Sequence, residues 1–151
     1  VDDIGSLQQY HSSKSDFLVA ESVLRTLPGR LQQQQDAFSQ TGGLHASALF
    51  DQQGSILSLF EDVGRHNALD KLIGSELQNN NLPLFQSGLI LSGRTSFELI
   101  HKAALAGIPV VVSIGAPSSL AVDAAWEYEI TLAGFLQADR FNIYSFPRRI
   151  N

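Results

Sequence analysis

The sequence predicts a three-layer α/β/α domain, and three observations carry that prediction. Short apolar runs at 88–91 and 108–114 alternate with segments of helical period about ten residues long, the pattern of parallel strands whose crossovers cover both faces. Two strand-like runs joined by Asp51-Gln52-Gln53-Gly54 come first and form an N-terminal hairpin. The segments that follow the strands are polar and mostly glycine-bearing, and ligands bind at such strand ends in open α/β sheets.

Taken in order, residues 1–15 lack a sustained period and read as a linker or the tail of a further segment, which leaves 16–151 as a single α/β domain. Asp16 is the expected N-cap of a short helix using Phe17, Leu18, Ala20, Val23 and Leu24, and Pro28 begins the next, which runs to Phe38. The hairpin strands are 44–50 and 55–60. A helix from Gly64 to about Gln78 closes at Asn79-Asn80-Asn81-Leu82-Pro83. Strand 88–91, a helix from Phe97 to Ala106 ended by Gly107, strand 108–114, a helix 120–128 and strands at 129–133 and 141–144 complete the chain.

The net charge of −5 and pI near 5.2 argue against a nucleic-acid binder, which needs an excess of Lys and Arg on one face. No apolar run approaches a membrane span and no signal-peptide pattern occurs, so the expectation is a cytoplasmic protein without a membrane partner. There is no cysteine, which removes disulfides, thiolate metal ligands and a cysteine nucleophile from these residues. With Val at position 1 and no methionine, further chain is expected upstream.

Chemistry concentrates at 61–71, where Glu61-Asp62-Val63-Gly64-Arg65-His66-Asn67-Ala68-Leu69-Asp70-Lys71 crowds ionisable groups where a strand gives way to a helix. Free N–H groups and the positive end of the helix dipole make that junction an anion site, although an ordinary capped helix with an Asp–Arg pair would read the same way. Ser92-Gly93-Arg94-Thr95-Ser96 adds hydroxyls and a guanidinium at the next helix start, and Gly115-Ala116-Pro117-Ser118-Ser119 repeats the device. Each alone could be a simple cap; their repetition at adjacent strand ends points to a shared pocket. His45 opens a strand and could be a ligand or a core-edge residue, while His101 reads as structural. Metal binding has little support, with neither CxxC nor HExxH present, and no GxSxG elbow marks a hydrolase.

These motifs, in this order, together with Thr41-Gly42-Gly43-Leu44-His45-Ala46, Ala106-Gly107-Ile108-Pro109 and Gly134-Phe135, resemble the formate dehydrogenase accessory sulfurtransferase family, FdhD. The resemblance covers nearly everything from Thr41 to Tyr144. It implies a cytidine deaminase-like fold and a sulfurtransferase that takes persulfide sulfur from a cysteine desulfurase and passes it to the molybdenum bis-guanine dinucleotide cofactor, bound as substrate, for formate dehydrogenase. It also implies a homodimer. The family's persulfide cysteine sits in a C-x-x-C loop expected upstream of Val1; without that loop, the alternative is a cofactor-binding chaperone that performs no sulfur transfer. No zinc is expected, because the deaminase ligand set of one His and two Cys has no counterpart here.

The resemblance carries cofactor binding onto Phe135, Leu136, Gln137, Ala138, Asp139 and Arg140. The family's segment has a basic residue near position 137 and glycine near 139, so the Gln and Asp found here leave Arg140 as its only guanidinium. To these the strand-end junctions add Asp62, Arg65, His66, Ser92, Gly93, Arg94 and Ser96, with His45 beside them.

Overall fold

Period-two alternation along the strands sorts the apolar side chains onto two faces. Leu89 and Leu91, Val111 and Leu132 face one core; Ile90, Val110, Val112 and Ala133 face the other. These residues belong to a computed structural model that describes residues 15–38 and 44–151. The expected linker at 1–15, apart from Ser15, and the Thr41-Gly42-Gly43 turn lie outside the described residues.

The elements are α1 (Glu21–Leu24), α2 (Leu27–Phe38), β1 (His45–Phe50), β2 (Ile56–Asp62), α3 (Arg65–Gln78), β3 (Gly88–Leu91), α4 (Phe97–Ala106), β4 (Val110–Ser113), α5 (Ser119–Glu127), β5 (Thr131–Gly134) and β6 (Asn142–Ser145), followed by a 3-10 turn at Pro147–Arg149. Helices α3, α4 and α5 cover the first core, where Leu69, Leu72, Ile73, Leu99, Ile100 and Ala125 are buried. Helices α1 and α2 cover the second with Leu24, Leu27 and Leu31. The result is the expected α/β/α sandwich.

The six strands lie in the order β2-β1-β3-β4-β5-β6. Only β3, β4 and β5 are paired in parallel, which narrows the expected parallel sheet. A tight turn makes β1 antiparallel to β2: Asp51 Oδ1 accepts from Gln53 N and Ser55 N, and Gly54 takes φ +83°. β1 then lies antiparallel between β2 and β3, with Phe50 opposite Gly88. A Cβ at Gly88 would meet the Phe50 ring at 2.2 Å, so the absence of a side chain there lets that buried ring lie flat across the strand. β6 pairs antiparallel with β5, because the chain between them contains no crossover helix.

Helix ends follow the sequence closely. Ser96 caps α4 by accepting from Leu99 N, and Gly107 ends it in the left-handed region. Asp16 is a correction: it caps nothing, accepting instead from Gln86 Nε2 at 2.6 Å, while α1 begins at Glu21 with no side-chain cap. The intervening residues run extended, and Val19 pairs with Ile150 near the C-terminus.

Candidate functional site

The C-terminal ends of β3 and β4 do not simply stop; their loops stay hydrogen-bonded side by side. Ile114 N donates to Leu91 O, Gly115 N to Gly93 O, Thr95 N to Ala116 O and Ser118 N to Thr95 O. This extension brings Ser96, the cap of α4, level with Ser118, the cap of α5. From the other side α3 reaches the same place: His66 Nε2 and Ser96 Oγ share a hydrogen bond of 3.1 Å. Three helix N-termini therefore converge, each presenting N–H groups and a positive dipole end.

A cleft of about 210 Å³ lies among them, lined by Arg65, Arg94, Thr95, Ser96, Ala116, Pro117 and Ser118. Thr95 is 1 % exposed and its hydroxyl has no hydrogen-bond partner. The Arg65 Nε is also buried without one. Unpartnered buried donors cost about 1–3 kcal/mol each, a cost that an oxyanion accepting from both would remove. Glu98, exposed in the first turn of α4, has its carboxyl held below the ordinary range by its own backbone N–H and by Ser96, so part of that helix end is already answered from within the chain. The open donors are on the Arg65, Arg94 and Thr95 side.

Of the residues expected at the site, Arg65, Arg94 and Ser96 line this cleft and His66 braces it through Ser96. Ser92 accepts from Ala46 N at 2.8 Å, fixing the start of the β3 loop against β1. Gly93 gives His45 room: a Cβ there would stand 3.1 Å from Nδ1. Asp62 is engaged elsewhere, pairing with Lys71 at 2.8 Å and accepting from Gly64 N. The hydrogen bond from Lys71, then that from Gly64, lowers its pKa to about 2. Such a depressed carboxylate adds stability above the ordinary value of 3.8, and that contribution is lost as pH falls through about 2. Melting curves over this interval should therefore show a shallower acid dependence in Asp62→Asn; an unchanged slope would mean that the pair does nothing for α3. Asp70 likewise serves the fold, bridging α3 to α4 through Lys102 at 2.8 Å.

The segment after β5 divides. Phe135, 45 % exposed with φ 53°, sits beside the cleft loops through Phe135 N to Gly115 O. Leu136 is buried in the second core. Gln137, Ala138, Asp139 and Arg140 are exposed, with Gln137 N closing a turn on Arg140 O. Asp139 and Arg140 line a different and larger hollow, about 580 Å³, shared with Glu21, Arg25, Phe141, Asn142 and Ile143. The structure thus gathers Arg65 and Arg94 but places Arg140 in a separate hollow. Thr95 and Ser118 lie within the two motifs that the sequence places at a shared pocket, but neither is among the individual residues it nominates; the available signal was the matched Thr-Ser and Pro-Ser pairs at successive helix starts.

A model of the FdhD/NarQ family matches residues 2–151. The chain belongs to the FdhD/NarQ family. Among its relatives, the sulfur carrier protein FdhD of Streptomyces coelicolor is 53% identical over 132 residues, covering 87% of this chain and 47% of that protein. The protein of the same name from Sulfolobus acidocaldarius is 44% identical over 147 residues, covering 97% and 58%. This chain spans about half the length of these curated relatives. A crystal structure assigned as a formate dehydrogenase accessory protein from Desulfotalea psychrophila superposes with a TM-score of 0.79 at 30% identity, over 91% of this chain and 61% of that one. Guanine deaminase from Nitrosomonas europaea, with a TM-score of 0.56 at 13% identity over 85% and 84% of the two chains, shares the fold alone. The architecture is the cytidine deaminase-like one that the family resemblance implies. Among the described residues no group of three or more His, Cys, Asp or Glu side chains is arranged to hold a metal ion, and no helix is long and apolar enough to cross a membrane.

Proposed function

We propose that this chain is the cofactor-holding part of a sulfur carrier that receives persulfide sulfur from a cysteine desulfurase and delivers it to a molybdenum bis-guanine dinucleotide, its bound substrate, for use by formate dehydrogenase. The observation that carries the reading is the cleft between the α3, α4 and α5 N-termini, where the Thr95 hydroxyl and Arg65 Nε are buried and unpartnered beside Arg94. A diphosphate oxygen is the acceptor such a group of donors is suited to. The protein's own part is to bind and orient: the helix ends and guanidiniums fix the diphosphate, and the His66–Ser96 bond keeps the α3 and α4 ends in register. These 151 residues contain no cysteine, so the sulfur-bearing thiol comes from outside them. The same fact favours, as a second reading, a chaperone that holds the cofactor and performs no sulfur transfer. A desulfurase assay with the longer family protein, following radiolabelled sulfur onto it, separates the two.

Calorimetry with GDP tests the cleft. We expect saturable binding that Arg94→Ala weakens roughly tenfold, the lower end of what one charged hydrogen bond contributes. An Arg94→Ala protein that binds GDP as the parent does would place the ligand elsewhere.

A cleft of about 210 Å³ covers only part of a bis-dinucleotide, since pockets that bury drug-sized ligands measure about 300–1,000 Å³. A second copy would supply the remaining cover, so we propose a homodimer. Light scattering at micromolar concentration should return twice the 16.4 kDa chain mass, and a monomer that still binds GDP would show that one subunit suffices.

A further inference from the structure

His66 stands in the first turn of α3, half-buried, with its Nε2 3.1 Å from the Ser96 hydroxyl. Ser96 lines the cleft, and its oxygen already accepts from Leu99 N as the cap of α4. A hydroxyl carries one proton, so what Ser96 can offer a ligand depends on what His66 takes from it. A neutral ring can accept that proton at Nε2. An imidazolium, with both nitrogens protonated, can only donate, and the hydroxyl proton is then released to another acceptor. Two acceptors compete for it. One is Glu98, whose carboxyl is held below the ordinary range first by its own backbone N–H and then by Ser96 and the charges of His66 and Arg65. The other is an anion in the cleft, where none of the described lining residues is a carboxylate. Other charges on the elements around His66 are already engaged: Lys71 with Asp62 at the end of β2, Lys102 of α4 with Asp70, and Glu61 with Gln35. Arg65 and Arg94 line the cleft itself, and His45 of β1 lies against Gly93.

Resting on the cleft reading above, we propose that His66 is a positioning residue for the bound anion: its protonation turns the Ser96 hydroxyl into a donor to the cleft and sets a positive charge beside it. The cleft therefore holds oxyanions more tightly as pH falls through the range in which an imidazole titrates. Linkage requires the converse, that a bound anion favours the protonated ring, so the ligand is taken up together with a proton and let go when that proton leaves.

Sulfate is the probe, because it stays a dianion throughout that interval and any pH dependence then belongs to the protein. Titrations at constant ionic strength, followed through the amide resonances of Thr95 and Ser96, should give an affinity about tenfold higher at about pH 5.5 than at about pH 8, the scale of one charged hydrogen bond. His66→Gln keeps a hydrogen-bonding partner for Ser96 but cannot titrate, and it should flatten the profile near the parent's high-pH affinity. Ser96→Ala should lose most of the dependence, and Ser96→Thr, which keeps both cap and hydroxyl, should retain it. Glu98→Gln removes the competing carboxylate and should keep the dependence. A flat parent profile, a His66→Gln profile as steep as the parent's, or a slope that disappears in His45→Gln or Glu98→Gln instead overturns the role of His66. Arg94→Ala reads the cleft separately: it should weaken sulfate at both pH values and leave their ratio intact. Sulfate binding that ignores Arg94→Ala overturns the cleft reading and the role of His66 together. An Arg94 effect at both pH values with a flat parent profile overturns the role of His66 alone.

Discussion

Arg149→Met should lower the stability of the fold by about 3 kcal/mol, read as a fall in the denaturant midpoint at unchanged slope. Arg149 is 2 % exposed, and one of its terminal nitrogens donates to Glu129 O at 2.6 Å, Pro109 O at 3.2 Å and Thr131 Oγ1 at 3.4 Å. Pro109 precedes β4 and Glu129 precedes β5, so the guanidinium ties the entries of two central strands to the C-terminal turn. Burial pushes its pKa down, yet an arginine remains charged. Methionine would restore apolar volume and remove the cost of burying the charge, which offsets part of the loss. It would leave two strand-entry carbonyls without their charged donor, and each hydrogen bond to a charged group contributes about 1.5–3 kcal/mol. Two left-handed residues, Glu129 with φ 58° and Phe146 with φ 42°, depend on the same cluster: Arg149 holds the Glu129 carbonyl, and the Thr131 hydroxyl holds that of Phe146 at 2.5 Å. A variant as stable as the parent would mean that those carbonyls find other partners without cost.

Nothing in the sequence singles out Arg149. It sits in Phe146-Pro147-Arg148-Arg149, where two adjacent arginines look like a solvated tail, and its burial comes from contacts remote in sequence, with the Pro109 and Glu129 carbonyls. Asp16 failed for the same reason: a residue with good capping chemistry was captured by Gln86, 70 positions away. Elements bounded by local chemistry fared differently. α4 was legible residue for residue because Ser96 and Gly107 act through their own backbone and nearest neighbours, and β3 because its four apolar residues are bounded by polar ones. The pairing of strands was less so, since the placement of β1 between β2 and β3 is decided by packing such as Phe50 over Gly88. At the site, Arg65 and Arg94 could be read from the junctions, whereas the unpartnered state of Thr95 arises only when the β4 loop closes over it.

The largest functional effect is expected from removing both cleft guanidiniums. Arg65→Ala/Arg94→Ala should weaken pyrophosphate binding by about 3 kcal/mol or more, roughly 100-fold, because each lost charged hydrogen bond contributes about 1.5–3 kcal/mol. Arg65 comes from the first turn of α3 and Arg94 from the β3 loop, so the two approach the cleft from different elements and neither backbone depends on the other's side chain. Arg140→Ala is the informative contrast. Family resemblance nominates Arg140, but it lines the larger hollow with Arg25 and Glu21, and Arg25 already pairs with Glu21 at 3.0 Å. If the diphosphate sits between the helix ends, Arg140→Ala leaves pyrophosphate affinity within about twofold of the parent while the double variant loses it. The opposite result, a large loss with Arg140→Ala and little with the double variant, would move the diphosphate to the β6 side. Comparable losses from both would indicate a ligand long enough to reach from one hollow to the other, with Phe135 between them on the loop that joins β5 to Arg140.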